Sequence, residues 1–457
     1  MSTISTNESM GGGGADVQTP GRDAPATQTT AGNYFVSNYP PFSFWKPEFK
    51  QEAFDAMQRP PKDGTDLGLY LHIPFCRKRC HFCYFRVYTD KDSASIKRYL
   101  DCALEELTIY ASKPFIGGRK PKFVYFGGGT PSYLSENQMR YLFDGMKERL
   151  PWNDVEEVTF ECEPGTLTDH KLKTLRELGV TRLSLGVENF SDRILEVNGR
   201  AHRSKEIWRA YSTARSLGFP QINIDLIAGM VEETESNWKE CIEHTLQLAP
   251  DSLTIYQMEV PYNTTIYREM KTAGQLVAPV AGWETKRRWV NEAFKAMEQR
   301  GYQVGSAYTV VKDKQKTRFI YRDRLWLGSD LLSMGVASFG HINGTHYQNH
   351  HDFDPYVTAL GQGVLPIYRA LTPNADERLI RELVLLFKLG RIDADHFRSK
   401  YGVDVMTRFA APIAAIVEGG FGTVDSDSLK LNREGLLQVD RLAHGFFLEQ
   451  HRNARYA

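Results

Sequence analysis

The chain reads as an α/β protein built on a parallel sheet. Two observations predict this: apolar strand-length runs alternate with amphipathic helix-length runs from Leu69 to Gln257, and cap residues and glycines punctuate the helices between them. The strand runs are Leu69 to His72, Phe123 to Phe126, Val158 to Glu161, Arg182 to Val187, Ile222 to Ile227 and Ser252 to Gln257. Helical runs lie between them at Ser93 to Ala111, Ser135 to Leu150, Thr168 to Leu178, Ser204 to Leu217 and Glu235 to Leu248. Ser135, Thr168 and Ser204 stand where helix-capping side chains belong, and Gly179 and Gly218 end their helices. Six strands are too few to close an eight-stranded barrel, so the expectation is a partial, TIM-like (βα)6 barrel. In such sheets ligands bind at the carboxyl ends of the strands.

The flanking segments differ in character. Residues 1 to 33 are rich in Ser, Thr, Gly and Ala and are expected to be a disordered tail. Residues 34 to 66 form an aromatic arm (Tyr34, Phe35, Tyr39, Phe42, Phe44, Trp45), a short helix over Lys46 to Gln58 and a polar linker. The barrel is expected over 67 to 300, ending in a long helix from Trp283, and the chain is helical again from Pro373, with a hairpin and helix between Gly422 and Phe447. With 56 basic and 56 acidic residues, charge offers no argument for a nucleic-acid or anionic-membrane partner. No apolar run reaches membrane-spanning length and no signal peptide is recognisable, so stable membrane insertion is not expected and a reducing cytoplasm is the expected setting.

Three of the six cysteines, Cys76, Cys80 and Cys83, fall in one C-x3-C-x2-C loop directly after the first strand. A strand ending in clustered thiolates is a ligand loop for a soft metal centre. Three ligands leave one iron of a 4Fe-4S cluster open to another molecule. A structural zinc would need a fourth ligand from His72 or His81, and closed zinc sites usually pair two separate knuckles. Disulfides within so short a loop are disfavoured by geometry. After the second strand comes Phe126-Gly127-Gly128-Gly129-Thr130-Pro131, whose glycines allow close backbone approach to a ligand and are expected to point their N–H groups inward. Later strand ends carry Glu161 and Glu163, Glu188, Asp225 and, on the last rim, Glu259 and Tyr262.

The cysteine spacing resembles that of the radical S-adenosylmethionine (SAM) enzymes. The string Tyr70 to Cys83, the Gly127-Gly128-Gly129-Thr130-Pro131 turn, Gly186-Val187-Glu188-Asn189-Phe190 with Arg200 downstream, and Asn223-Ile224-Asp225-Leu226-Ile227-Ala228-Gly229-Met230 are similar to the oxygen-independent coproporphyrinogen III oxidase-like branch. The resemblance covers residues 67 to 450. It implies a radical SAM core over 67–300, a barrel-mouth extension over 301–372 containing Gly335, Ser338, Tyr347, Asn349 and Tyr356, and a small helical, winged-helix-like domain over 373–457. It further implies a 4Fe-4S cluster on Cys76, Cys80 and Cys83. SAM, as one molecule or two, would be contacted by Tyr70, Phe82, Gly128, Gly129, Thr130, Glu161, Glu188, Arg200 and Asp225. The implied chemistry is reductive cleavage of SAM to a 5′-deoxyadenosyl radical, with electrons from a flavodoxin or ferredoxin.

The same resemblance leaves three activities in view. One is oxidoreduction of a porphyrinogen in haem metabolism, the coproporphyrinogen III dehydrogenase-like reaction. The second is a haem chaperone that binds and delivers haem. The third is a radical C-methyltransferase or cyclopropanase acting on a natural product. Two departures bear on the choice: Phe85 stands where the oxidases carry a further cysteine, and Glu188 replaces a glutamine. The residues do not identify a catalytic acid or base.

Overall fold

The computed structural model describes residues 34–275, 279–452 and 454, and the expected N-terminal tail lies outside them. The six expected strands form as β1 (Leu67–Ile73), β2 (Pro121–Gly128), β3 (Glu157–Cys162), β4 (Arg182–Glu188), β5 (Gln221–Ala228) and β6 (Ser252–Gln257). Each pairs in parallel with the next in chain order. Their residues are buried almost without interruption, as both faces of a parallel sheet require.

The helices follow their sequence signals. After α1 (Lys50–Met57) come α2 (Ser93–Ala111), α3 (Glu136–Arg149), α4 (Asp169–Glu177), α5 (Asp192–Val197), α6 (Ser204–Ser216), α7 (Glu235–Leu248), α8 (Thr265–Thr272) and α9 (Trp283–Gln299). In α3, Ser135 and Gln138 close a reciprocal capping box, and Met139, Leu142, Phe143 and Met146 form its buried face at helical spacing. Thr168 caps α4 by accepting the Lys171 N–H.

The sheet is wider than six strands. It holds 12 in all, because β9 (Asp330–Met334) pairs in parallel with the free side of β1. The antiparallel strands β10 (Phe339–Ile342), β11 (Thr345–Asn349) and β12 (Ile367–Leu371) extend it from there, while β7 (Gln303–Val304) and β8 (Thr309–Val311) extend the β6 side. Only three side chains of β9 are apolar and its neighbours are short, so its run carries little periodic signal. In the C-terminal part a three-stranded sheet of β13 (Arg391–Asp393), β15 (Ser428–Leu431) and β14 (Gly422–Val424) packs with helices, including the expected hairpin. The aromatic arm crosses both parts: Trp45 stacks on His346 at 4.9 Å, and buried Tyr39 packs on Phe447 and His451.

A buried polar knot fastens the extension to the root of the cysteine loop. Glu106 of α2 accepts from Tyr356 Oη at 2.6 Å, Asn349 Nδ2 at 2.7 Å and Gly335 N–H at 2.9 Å. Beside it, Tyr99 Oη donates to the His72 carbonyl at 2.5 Å and accepts the Val336 N–H. Burial lifts the Glu106 carboxyl to about 7, against the three hydrogen bonds it accepts. Glu106→Ala strands those three donors, and it is expected to cost about 3 kcal/mol, read as a lowered urea midpoint at unchanged slope.

Candidate active site

The cysteine loop leaves β1 and is pinned at both ends. Gly129 N–H donates to the Ile73 carbonyl at 2.8 Å and Thr130 N–H to the Phe75 carbonyl at 2.9 Å. Cys76 N–H bonds the Tyr88 carbonyl, His81 N–H bonds that of Asn198, and Asn263 Nδ2 donates to that of Tyr84. Within the loop, Cys83 N–H reaches the Cys80 carbonyl and Arg79 Nη2 the Cys83 carbonyl.

Each cysteine meets a different surrounding. Cys76 is buried and its sulfur takes the Thr130 hydroxyl at 3.3 Å, while Cys80 and Cys83 are half-buried. Arg200 Nη1 donates to Cys80 Sγ at 3.3 Å. Burial pushes the Cys76 thiol up to about 12 and the Cys83 thiol up to about 11. Such sulfurs are poor anions on their own, and a ligated metal deprotonates a thiol outright. Among the described residues no three His, Cys, Asp or Glu side chains come close enough to share one ion. In a cubane each thiolate caps its own iron, so a cluster does not call for such convergence. The donor set therefore fits an iron–sulfur cluster: three sulfurs on one pinned loop, with a guanidinium and a hydroxyl turned to two of them.

The glycine turn differs from its sequence expectation. Its N–H groups do not face a ligand. Gly128 N–H goes to Glu161 Oε2 at 3.1 Å, and those of Gly129 and Thr130 are spent on β1 and the cysteine loop. These donors hold the cysteine loop and Glu161 instead. Gly129 shows the tightness: a Cβ there would sit 2.9 Å from the Ile73 carbonyl oxygen and 3.0 Å from Cys76 Sγ.

Three half-buried carboxyls stand toward the carboxyl ends of β3, β4 and β5. Glu161 accepts from Tyr125 Oη at 2.6 Å, and Asp225 accepts from Ser184 Oγ at 2.8 Å and Asn223 Nδ2 at 2.9 Å. Glu188 stands at a β-bulge with φ 64°, a strained conformation for a side chain with a Cβ, and its carboxylate lies 3.7 Å from Arg200 Nη2. Burial raises all three, Glu161 and Glu188 to about 7, and for those two the neighbouring carboxyls push further in the same direction. A site of this kind gains from a cation or from hydroxyl donors. Tyr70 lies alongside, stacked on Tyr125 at 5.8 Å and bonded to His72 Nδ1. Phe82 instead packs against the apolar group of Ile194, Ile227, Met230, Met258, Val260 and Ile266. Arg200 is heavily engaged: besides Cys80 it donates to the Gly186 carbonyl at 2.5 Å, and only its Nε is buried without a partner.

Several participants, Arg182, Arg77 and Glu233 among them, were not singled out from sequence. Arg182 is buried at the start of β4 with its guanidinium 4.1 Å from the Phe319 ring centre, and its charge draws Glu157, Glu161 and Asp225 back down. A lone arginine opening an apolar strand was the available signal. Glu163, His202 and Arg77 link the cysteine loop to the Arg200 segment: Arg77 Nη2 donates to the Ala201 carbonyl at 2.8 Å, and His202 lies 3.2 Å from both Glu163 Oε1 and the Val187 carbonyl. Glu233 accepts the N–H groups of Gly229 and Met230, shaping the loop after β5. Cys162, beside Glu161 in β3, is a core residue.

The model of the radical SAM superfamily matches residues 70–245, the stretch that carries the cysteine loop and all three carboxyls. Over that stretch the chain is similar to that superfamily. Its relatives include the heme chaperone HemW of Bacillus subtilis, 29% identical over 83% of this chain and 99% of its own length. The oxygen-independent coproporphyrinogen III oxidase of Escherichia coli is 26% identical over 90% of this chain and 91% of its own. The solved structure of coproporphyrinogen III oxidase (HemN) from Escherichia coli superposes with a TM-score of 0.79 at 25% identity, covering 90% of this chain and 96% of that one. Within the superfamily the likeness is to proteins of the HemN/HemW type, and radical SAM chemistry implies a 4Fe-4S cluster and SAM. No helix among the described residues is long and apolar enough to cross a membrane.

Gly129→Ala tests how closely the turn and the loop are matched. The added methyl is expected to force the Cys76 loop outward at a cost of about 1–3 kcal/mol, read as lower iron and sulfide content per chain after anaerobic reconstitution.

Proposed function

We propose that this protein is a SAM-cleaving iron–sulfur oxidoreductase that acts on a tetrapyrrole, in the manner of the coproporphyrinogen III oxidase-like enzymes. The observation that carries the reading is the convergence on one loop of three cysteines, Arg200 on the Cys80 sulfur and the acidic row behind them. Cys76, Cys80 and Cys83 hold the cluster. When bound, the cluster supplies the electron that breaks the sulfonium of SAM. Thr130 and Arg200 direct hydrogen bonds onto two of the sulfurs, an arrangement that stabilises the electron-rich state. Glu161 and Asp225 would hold the ammonium and ribose hydroxyls of SAM, with Tyr70 and the Gly128–Thr130 turn shaping the pocket. Phe82 braces the loop tip on the apolar group behind it. Electrons come from a flavodoxin or ferredoxin.

Arg200 and Glu188 pair within the pocket, and that pairing favours one SAM per chain. A second SAM would have to draw its carboxylate contact from a guanidinium already committed to Gly186, Cys80 and Glu188.

The heme-chaperone reading has its own support in Phe85, which stands in place of the oxidases' further cysteine and leaves two exposed rings, Tyr84 and Phe85, tilted against each other at the loop tail. The two readings separate on product. With reconstituted cluster, SAM, dithionite and coproporphyrinogen III, the wild-type chain is expected to form 5′-deoxyadenosine together with vinyl product, and Cys80→Ala neither. SAM cleavage without vinyl product, joined to heme binding at micromolar concentration, would move the assignment to the chaperone. Transfer of label from methyl-labelled SAM would move it to a methyltransferase.

A further inference from the structure

The cysteine loop carries an uneven charge. Between Asp66 and Asp90 the chain has no acidic residue, yet Arg77, Lys78 and Arg79 follow one another between Cys76 and Cys80. This excess stands in a chain whose 56 basic and 56 acidic residues otherwise cancel. Arg77 and Lys78 are exposed and Arg79 is half-buried. Lys78 pairs with no carboxylate, carbonyl or ring among the described residues. Arg77 Nη2 donates to the Ala201 carbonyl at 2.8 Å, and Arg203 Nη1 donates to the Arg200 and His202 carbonyls at 3.2 and 2.9 Å. Both guanidiniums are thereby gathered on one turn. The carboxylates paired with them do not cancel the row: Glu163 is buried under Arg77 and also faces His202, and Glu196 lies 3.8 Å from Arg203.

The same loop brings two of its three sulfurs toward solvent. Cys76 is buried, whereas Cys80 and Cys83 are half-buried. Lys78 and Arg79 lead directly into Cys80, and Arg79 Nη2 reaches the Cys83 carbonyl at 3.0 Å. On its flanks the loop is covered, by the glycine turn on one side and by α8 on another, where Ile266 N–H donates to the His81 carbonyl at 3.2 Å. A protein that delivers an electron to this site must come close to those two sulfurs, and the row of cations lines that approach. Small ligands are held in enclosing clefts, so exposed cations in an open row suit a protein surface instead. A partner of opposite charge is steered to such a row, and an interface of small area serves a brief redox encounter.

We infer that Arg77, Lys78, Arg79 and Arg203 form the docking surface for a small acidic electron carrier of the flavodoxin class. The inference rests on the SAM-cleaving reading above, which requires a one-electron donor. The electron handed over takes the carrier's flavin from hydroquinone to semiquinone and is received by the cluster that the loop holds. The four cations divide the work. Arg77 and Arg203 also hold carbonyls of the turn at 200–203, so their loss disturbs the fold as well as the surface. Lys78 holds nothing in the fold, and reversing its charge changes the surface alone. Lys314, exposed beyond β8 at the amino-terminal side of the parallel strands, is a lysine of the same kind on the opposite side of the sheet from the loop.

The probe is an oxidised flavodoxin, titrated by calorimetry into the full-length chain with reconstituted cluster at about 50 mM and about 300 mM salt. Wild type is expected to bind it, about tenfold more weakly at the higher salt. Lys78→Glu is expected to bind about fivefold more weakly than wild type at the lower salt, with a shallower salt dependence and with unchanged iron content and melting temperature. Lys314→Glu is expected to bind as wild type does. Wild-type affinity in Lys78→Glu would overturn the docking surface, and so would an equal loss in Lys314→Glu. Failure of wild type to bind flavodoxin at micromolar concentration and low salt would overturn it too, while 5′-deoxyadenosine formed with dithionite in the same preparation would leave the SAM-cleaving reading standing. Absence of 5′-deoxyadenosine with dithionite would remove that reading and this inference together.

Discussion

Two backbone hydrogen bonds, from Gly129 to the Ile73 carbonyl and from Thr130 to the Phe75 carbonyl, set the geometry on which the site depends. They lock the exit of β2 against the exit of β1, so the glycine turn and the cysteine loop behave as one rigid unit. That lock explains why the turn needs glycine at 129, where the Ile73 and Phe75 carbonyl oxygens and Cys76 Sγ leave no space for a side chain. It also explains why the N–H groups of the turn are unavailable to a ligand. Positioning of the first sulfur takes precedence over direct recognition.

Much of the fold was legible because the parallel core is made of local units. Strand runs, capping pairs such as Ser135 with Gln138, and helix-ending glycines all act within a few residues, where pattern and propensity have force. The parallel pairing of β9 with β1 was not legible, since it joins positions more than 250 residues apart and its mixed run has no clean period. The site divided along similar lines. Cys76, Cys80, Cys83, Glu161, Arg200 and Asp225 stand at motif spacings after strands, so their neighbourhood followed from topology. Arg182, Glu233 and the Glu163–His202–Arg77 link depend on who meets whom across the barrel, which spacing does not encode.

The electrostatic plan is uneven by design of the sheet. Glu161, Glu188 and Asp225 are gathered at the mouth, where burial disfavours their charge and the carboxyls add to it for Glu161 and Glu188. Arg182, a buried counter-charge that reaches Glu161 and Asp225, starts β4 at the opposite end of that strand and lies over Phe319. Arg200 sits at the mouth but is shared among a sulfur, a carbonyl and Glu188. An interior of this kind leaves its acids undercompensated until a ligand of positive or hydrogen-donating character arrives, which is the physical ground for reading the row as a binding surface rather than a structural network.

The placement of β9 also bears on when the base of the cysteine loop is completed. β1 carries the cysteine loop on its carboxyl end, and one of its two neighbouring strands consists of residues 330–334. During synthesis the loop emerges early, but its base remains an open strand edge until that late segment docks, and the Glu106 knot waits for Asn349 and Tyr356. Non-local pairing of this kind is slow relative to the neighbouring βα units. Completion of the loop's base is therefore a late event in the life of the nascent chain, waiting on segments that lie more than 250 residues downstream.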